Sequence, residues 1–198
     1  MDTKKLTLTI VFAAIAIVLN PTLTHIAVAA PFASVLFYQI WEIPIVIALL
    51  LINPISGIAV SLLNTSVLFV LFPGTLPTSP IYNLLATLSM QIGIYVGIII
   101  GKKIYYHKNP KTSIINSSKC LITATGLGIL TRVTCMTVIL YFALPQAIPI
   151  GFAFDRAITN AYLPLAALFN TTLALYTIPI AWIIAQRVQK VLYLTVPK

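Results

Sequence analysis

The sequence predicts an all-α integral membrane protein: a six-transmembrane-helix bundle, both termini cytoplasmic, in a single transmembrane domain over residues 1–198. Three observations carry that reading. The first is composition: 60% of the 198 residues are apolar and 8% are charged, with a mean hydropathy of +1.03. A soluble domain carries about 25% charged residues, so a chain this poor in polar surface has lipid as its solvent. The second is a succession of apolar runs, each close to the ~20 residues that cross the hydrocarbon core. The third is where the cations fall. Lys4, Lys5, the lysines of residues 101–119, Arg187, Lys190 and Lys198 all lie on one face of a six-helix topology. By the positive-inside rule that face is cytoplasmic. The net charge of +9 is therefore a topology signal, and nucleic acid is not expected as a partner.

The first helix follows from the apolar run Leu6–Leu19, which Asn20-Pro21 interrupts. Two readings of this start stand. A basic start, an apolar core and Ala27-Val28-Ala29 imitate a secretory signal with its cleavage site; alternatively the helix is retained and an outer loop dips back toward the membrane. The second helix is expected from about Val35 to Ile52 and the third from Ile55 to Leu71. Together they make a tight helical hairpin that turns on the cytoplasmic face at Asn53-Pro54-Ile55-Ser56-Gly57. Pro54 supplies no amide donor and biases Asn53 away from helical angles, while Gly57 permits close backbone approach.

Phe72–Ser79 is a Pro/Gly-rich turn into a fourth helix, Ile81–Ile100, where Gly93, Gly97 and Gly101 recur every four residues. That spacing leaves one helix face smooth enough for close contact. Residues 101–119 form a cytoplasmic basic loop with five lysines and no acid. The fifth helix runs from about Cys120 to Leu144, Pro145–Asp155 forms an outer loop, and the sixth runs from about Ala157 to Ala185. Pro164 and Pro179 predict kinks there. Cys120 and Cys135, fifteen positions apart on one helix, are too distant for a disulfide.

Enzymatic equipment is thin. The sequence holds no phosphate-cradling glycine loop, zinc-type His/Cys spacing or nucleophile elbow. His25 and His107 fall on opposite faces, and the carboxylates are Asp2, Glu42 and Asp155. No catalytic residue, metal site or cofactor is expected. Two charges remain within the membrane. Arg132 sits about halfway through the fifth helix, where an arginine costs roughly 2.5–3.5 kcal/mol on insertion scales. Glu42 lies inside the outer end of the second helix. Either the two pair and orient helices, or Arg132 contacts an anionic or carbonyl-rich ligand. Polar side chains also gather in the outer half: Tyr82, Asn83, Tyr141, Asn160, Tyr162 and Asn170. Aromatic residues there can serve as bilayer anchors, but a buried asparagine is costly without a partner. An outward-facing cavity lined by Tyr and Asn suits a planar, hydrogen-bonding small molecule.

These residues also carry a family resemblance. Lys4-Lys5-Leu6 leading into Ala13-Ala14-Ile15-Ala16, Glu42-Ile43-Pro44, Asn53-Pro54-Ile55-Ser56-Gly57 followed by Asn64, Ser79-Pro80, and Phe169-Asn170 stand in order along nearly the whole chain. In this order they resemble the substrate-binding S components of energy-coupling-factor (ECF) vitamin transporters, most closely the riboflavin-specific branch. The resemblance implies capture of a vitamin from outside a prokaryotic plasma membrane. Transport would be driven by a transmembrane coupling subunit and two cytoplasmic ATPases, with no ATPase activity in the chain itself. It also implies toppling of the loaded bundle against the coupling subunit. Ala13, Ala14 and Ala16 are the candidate contacts with that subunit, although Ile10 stands where the family's first small residue would be. Glu42 and Arg132 would shape the cavity and Asn83, Tyr141 and Asn170 would line it, with Asn160 nearby. Leu140 and Leu173 stand where the riboflavin branch has polar residues, so riboflavin is a best guess among small planar vitamins. The rivals are a standalone facilitator or channel and a ligand-free structural membrane protein.

Overall fold

The computed structural model describes residues 3–20, 28–71, 76–106 and 117–195. Among them are six helices: α1 (Thr3–Val18), α2 (Glu42–Leu51), α3 (Pro54–Leu71), α4 (Ser79–Tyr106), α5 (Ser118–Ala143) and α6 (Arg156–Thr195). A two-stranded antiparallel hairpin, β1 (Val28–Ala30) and β2 (Ala33–Tyr38), precedes α2. The chain is a multi-pass helical membrane protein: α3, α4, α5 and α6 are each long and apolar enough to cross a bilayer. The expected loop around His25, and Lys108 and Lys111 with His107 in the basic loop, lie outside the described residues.

The second helix differs most from expectation. Residues 33–38 are strand, and α2 begins only at Glu42. Pro44 explains the boundary. A helix begun at Val35 would bury Pro44 in its interior, where it breaks a backbone bond and clashes with the preceding turn. A helix begun at Glu42 holds Pro44 in its first turn, where the missing N–H has no partner to lose. Upstream, Val35-Leu36-Phe37-Tyr38 is β-branched and aromatic, which suits a pleated strand. The strand pairs Val28 with Tyr38 and Ala29 with Phe37, and its register slips between Ala29 and Ala30.

The α2–α3 turn is tighter than the motif implied. Only Ile52 and Asn53 separate the helices, because Pro54–Gly57 form the first turn of α3. Asn53 caps it, its Oδ1 accepting from the Ser56 amide at 2.8 Å, and Pro54 occupies the first helical position that tolerates it best. A Cβ on Gly57 would lie 2.9 Å from Leu49 Cβ, so the glycine allows α3 to close on α2. Thr9 Oγ1 of α1 bonds Ser56 Oγ at 3.0 Å, and Gln91 of α4 donates to Ser61 Oγ at 2.7 Å.

Gly93, Gly97 and Gly101 form the α4–α5 seam. A Cβ at Gly97 would sit 2.5 Å from the Thr123 carbonyl oxygen and 2.6 Å from Ala124 Cα. The helices therefore meet backbone to backbone, as small residues at membrane-helix interfaces allow. Thr123 Oγ1 adds a bond to the Gly97 carbonyl at 2.8 Å. Helix α6 continues through Pro164 and Pro179. Asp155 caps its start, accepting from the Ile158 amide at 2.7 Å. The apolar core gathers Val46, Leu49, Met90, Ile94, Ile178 and Trp182 from α2, α4 and α6.

Candidate functional site: a buried charge cluster and a cavity above it

Helix α5 turns a stripe inward at every fourth residue: Cys120, Ala124, Gly128, Arg132 and Met136 are all buried. That register alone carries Arg132 into the bundle axis. Its Nη1 donates to Glu42 Oε2 at 2.5 Å and its Nη2 to Glu42 Oε1 at 2.9 Å. Nε donates to Asn170 Oδ1 at 2.9 Å, and Nη1 also approaches Met90 Sδ at 3.5 Å. Arg132 is 3% exposed and Glu42 2%. Such a two-pronged contact is the strong form of a guanidinium–carboxylate pair. Glu42 opens α2, so the positive end of that helix dipole adds to the stabilisation of its carboxylate. Asn170 is fixed in turn by donating Nδ2 to the Ala166 carbonyl at 2.9 Å. Of the two readings of Arg132, the geometry realises the mutual pair.

The β-hairpin packs on α6 beside this cluster. Tyr38 lies against Phe169 at 5.4 Å and against Tyr176 at 6.0 Å between ring centroids. Tyr38 Oη and Thr172 Oγ1 share a hydrogen bond of 2.9 Å, and Tyr176 Oη donates to the Gln39 carbonyl at 2.5 Å. Leu173 is buried here with Ala30 and Phe169.

Toward the end of the bundle away from the α2–α3 turn, a cavity of about 390 Å³ opens between α4, α5, α6 and the 144–155 loop. Leu140 and Tyr162 line it; each is eight residues from Arg132 and Asn170 respectively, so the cavity lies roughly 12 Å farther along the helices. Ser79, Tyr82, Phe152 and Phe154 complete its working surface. Phe152 and Phe154 stack at 5.5 Å, and Phe154 meets Tyr162 edge-on at 6.4 Å. Among the described residues no charged side chain lines it. Thr78 Oγ1 and Tyr82 Oη donate to the carbonyls of Pro149 and Ile150, which fastens the loop across the α4 end.

The structure thus brings Glu42, Arg132 and Asn170 together and sets the other expected residues apart. Asn83 is half-buried and off the cavity lining, beside Tyr82, which lines it. Tyr141 is 38% exposed, and its ring lies 4.9 Å beneath the Arg156 guanidinium on the outer surface. Asn160 is exposed. Ala13 and Ala16 pack inward against the cluster of Trp41, Ile45 and Val60, whereas Ala14 faces out. Of the three alanines, then, Ala14 is the one open to a partner. The residues that sequence reasoning missed are Met90, Tyr38, Tyr176, Phe152 and Phe154. The pair of phenylalanines flanking Ala153 in an otherwise turn-like loop was the available signal.

No family model matches the chain, and no curated protein matches it. Among solved structures it is similar to one described as the S component of a bacterial ECF transporter. The two share 23% sequence identity and a TM-score of 0.71, over 97% of this chain and 99% of that one. At that identity the likeness is one of fold, and it extends over essentially the full length of both chains.

Proposed function

We propose that this chain is the substrate-capture component of an ECF-type vitamin importer, taking up riboflavin or a related small planar molecule from outside. The observation that carries the reading is the coincidence of two features. The full-length fold is that of a protein described as an ECF S component, and an aromatic-lined cavity lies at one end of it. A cavity of about 390 Å³ is within the ~300–1,000 Å³ typical of small-molecule sites. Phe152, Phe154, Tyr82 and Tyr162 offer stacking faces and two hydroxyls to a flat ring. Glu42, Arg132 and Asn170 fix α2, α5 and α6 to one another roughly 12 Å from the cavity.

The distribution of lysines supports a cytoplasmic position for both termini and an extracellular one for the cavity. Uptake would then be driven by a coupling subunit and two ATPases in a prokaryotic plasma membrane, with Ala14 and the exposed Ile10, Val11 and Ile15 of α1 facing the coupling subunit. The test is mass spectrometry of small molecules that co-purify with detergent-solubilised protein, together with a riboflavin titration followed by flavin fluorescence quenching. Stoichiometric quenching is expected. A different bound vitamin would replace riboflavin within the same reading, and no ligand in verified folded protein would overturn it.

A further inference from the structure

The 144–155 loop leaves three large apolar side chains partly or largely exposed. Ile148 is 68% exposed, Ile150 49% and Phe152 46%. Residues 145–154 contain no charged side chain. The loop is nonetheless firmly built. The amides of Phe152 and Phe154 both donate to the Leu144 carbonyl, at 3.2 and 3.1 Å, and the Ala153 amide donates to Gln146 at 2.8 Å. Ala153 has a φ of 55°, a left-handed conformation that few non-glycine residues adopt, so the surrounding bonds hold this shape against local preference. The exposure of the trio is therefore imposed by the loop's own hydrogen bonds.

Two further observations identify what covers these side chains. First, the trio continues an existing apolar surface, because Val138 and Phe142 of α5 and Ile158 of α6 are exposed on the spans that the loop joins. Second, residues of the kind that populate a bilayer boundary gather at the helix ends that the loop joins. Tyr141, Phe142 and Arg156 meet at the helix ends, with the guanidinium over the tyrosine ring and Nη1 donating to the Tyr141 carbonyl at 3.3 Å. Aromatic rings with an arginine reaching toward phosphate are the mark of a membrane interface.

We propose that Ile148, Ile150 and Phe152 form a wedge that inserts into the adjoining leaflet of the bilayer, among acyl chains, with Arg156 at the level of the lipid phosphates. Ile150 and Phe152 also line the cavity, so part of its wall is in contact with lipid. Any movement of that wall is then felt in the bilayer as well as in the protein. The inference is independent of which ligand the cavity takes.

The test uses the full chain in phosphatidylcholine–phosphatidylglycerol vesicles. Nitroxide labels go on Ile148→Cys, Phe152→Cys and, as an exposed polar control in the same loop, Gln146→Cys. Each is made with Cys135→Ser, leaving the buried Cys120. Dissolved oxygen should relax the labels at 148 and 152 several-fold more effectively than a water-soluble nickel chelate, with the order reversed at 146. Greater chelate access at both 148 and 152 would overturn the proposal. A Phe152→Trp variant, quenched by lipids brominated near the headgroup, reads the same contact without a label. Absence of quenching there would also overturn it, whatever the outcome of the flavin titration.

Discussion

Removing one member of the Glu42–Arg132 pair should be more damaging than removing both. In Arg132→Met the Glu42 carboxylate stays 2% exposed and loses both of its guanidinium bonds, of 2.5 and 2.9 Å, while Asn170 Oδ1 loses its donor. Stranding one buried charge in this way costs about 3–5 kcal/mol. The orphaned amide oxygen adds about 1–3 kcal/mol. Glu42→Gln leaves Arg132 uncompensated at 3% exposure and should fall in the same range. The double variant Glu42→Gln/Arg132→Met removes both charges and with them the cost of a stranded one, leaving unpaired polar atoms at positions 42 and 170 that cost about 1–3 kcal/mol each. Unfolding in mixed micelles, followed through the buried Trp41 and Trp182, gives the three stabilities and their coupling energy. We expect a coupling of at least about 2 kcal/mol, within the range seen for directly interacting residues. A coupling near zero, with Arg132→Met as stable as the parent, would refute the buried-pair reasoning and return Arg132 to the list of ligand contacts.

Gly97→Val should lower the unfolding midpoint sharply, because its side chain must displace the α5 backbone at 2.5–2.6 Å; overpacking of this kind costs about 1–3 kcal/mol or more. Gly126→Ala on the same seam's helix meets nothing within 4 Å and should be neutral or stabilising by up to ~1 kcal/mol from helix propensity; equal losses in the two variants would argue against a backbone seam. Asn64 is fully buried in α3, and neither atom of its amide has a hydrogen-bond partner among the described residues. Asn64→Leu should therefore raise stability by about 1–3 kcal/mol, measured by the same unfolding assay, and a loss would show that the amide is satisfied. In the cavity, Phe154→Ala removes contacts with Phe152 and Tyr162 and should weaken flavin binding roughly 3- to 10-fold, from about 0.5–1.5 kcal/mol of aromatic contact, with unchanged quenching counting against the site.

The long helices and the α2–α3 hairpin were legible because lipid imposes length, apolarity and backbone satisfaction on any span. The Asn53-Pro54 break and the glycine spacing carried enough local chemistry to fix a cap and a seam. Arg132 and Glu42 were legible as charges that lipid does not tolerate alone. Facing was harder. Tyr141 and Asn160 stand one residue from the inward-facing Leu140 and Thr159, and one residue turns a helix by about 100°. A polar side chain at the right depth can therefore point to lipid or to the surface, as both do. The strand at 33–38 was masked by apolarity, since an apolar run of that length reads equally as helix until Pro44 is placed in a first turn. The aromatic cavity wall comes from a loop, where no periodicity exists to read.

The glycine seam has a mechanical consequence. Between α4 and α5 there are few side chains whose rotamers could change, because Gly93, Gly97 and Gly101 set one backbone directly on the other. Along this stretch the two helices are in direct backbone contact, which leaves no room there for a larger side chain. Against α2 the contact is made by side chains instead, Val46 and Leu49 packing with Met90 and Ile94. Glu42 and Arg132 form the charged tie across that boundary. The pair thereby ties α2 to α5 at one point deep in the bundle, where separating the two charges would leave both buried without a partner.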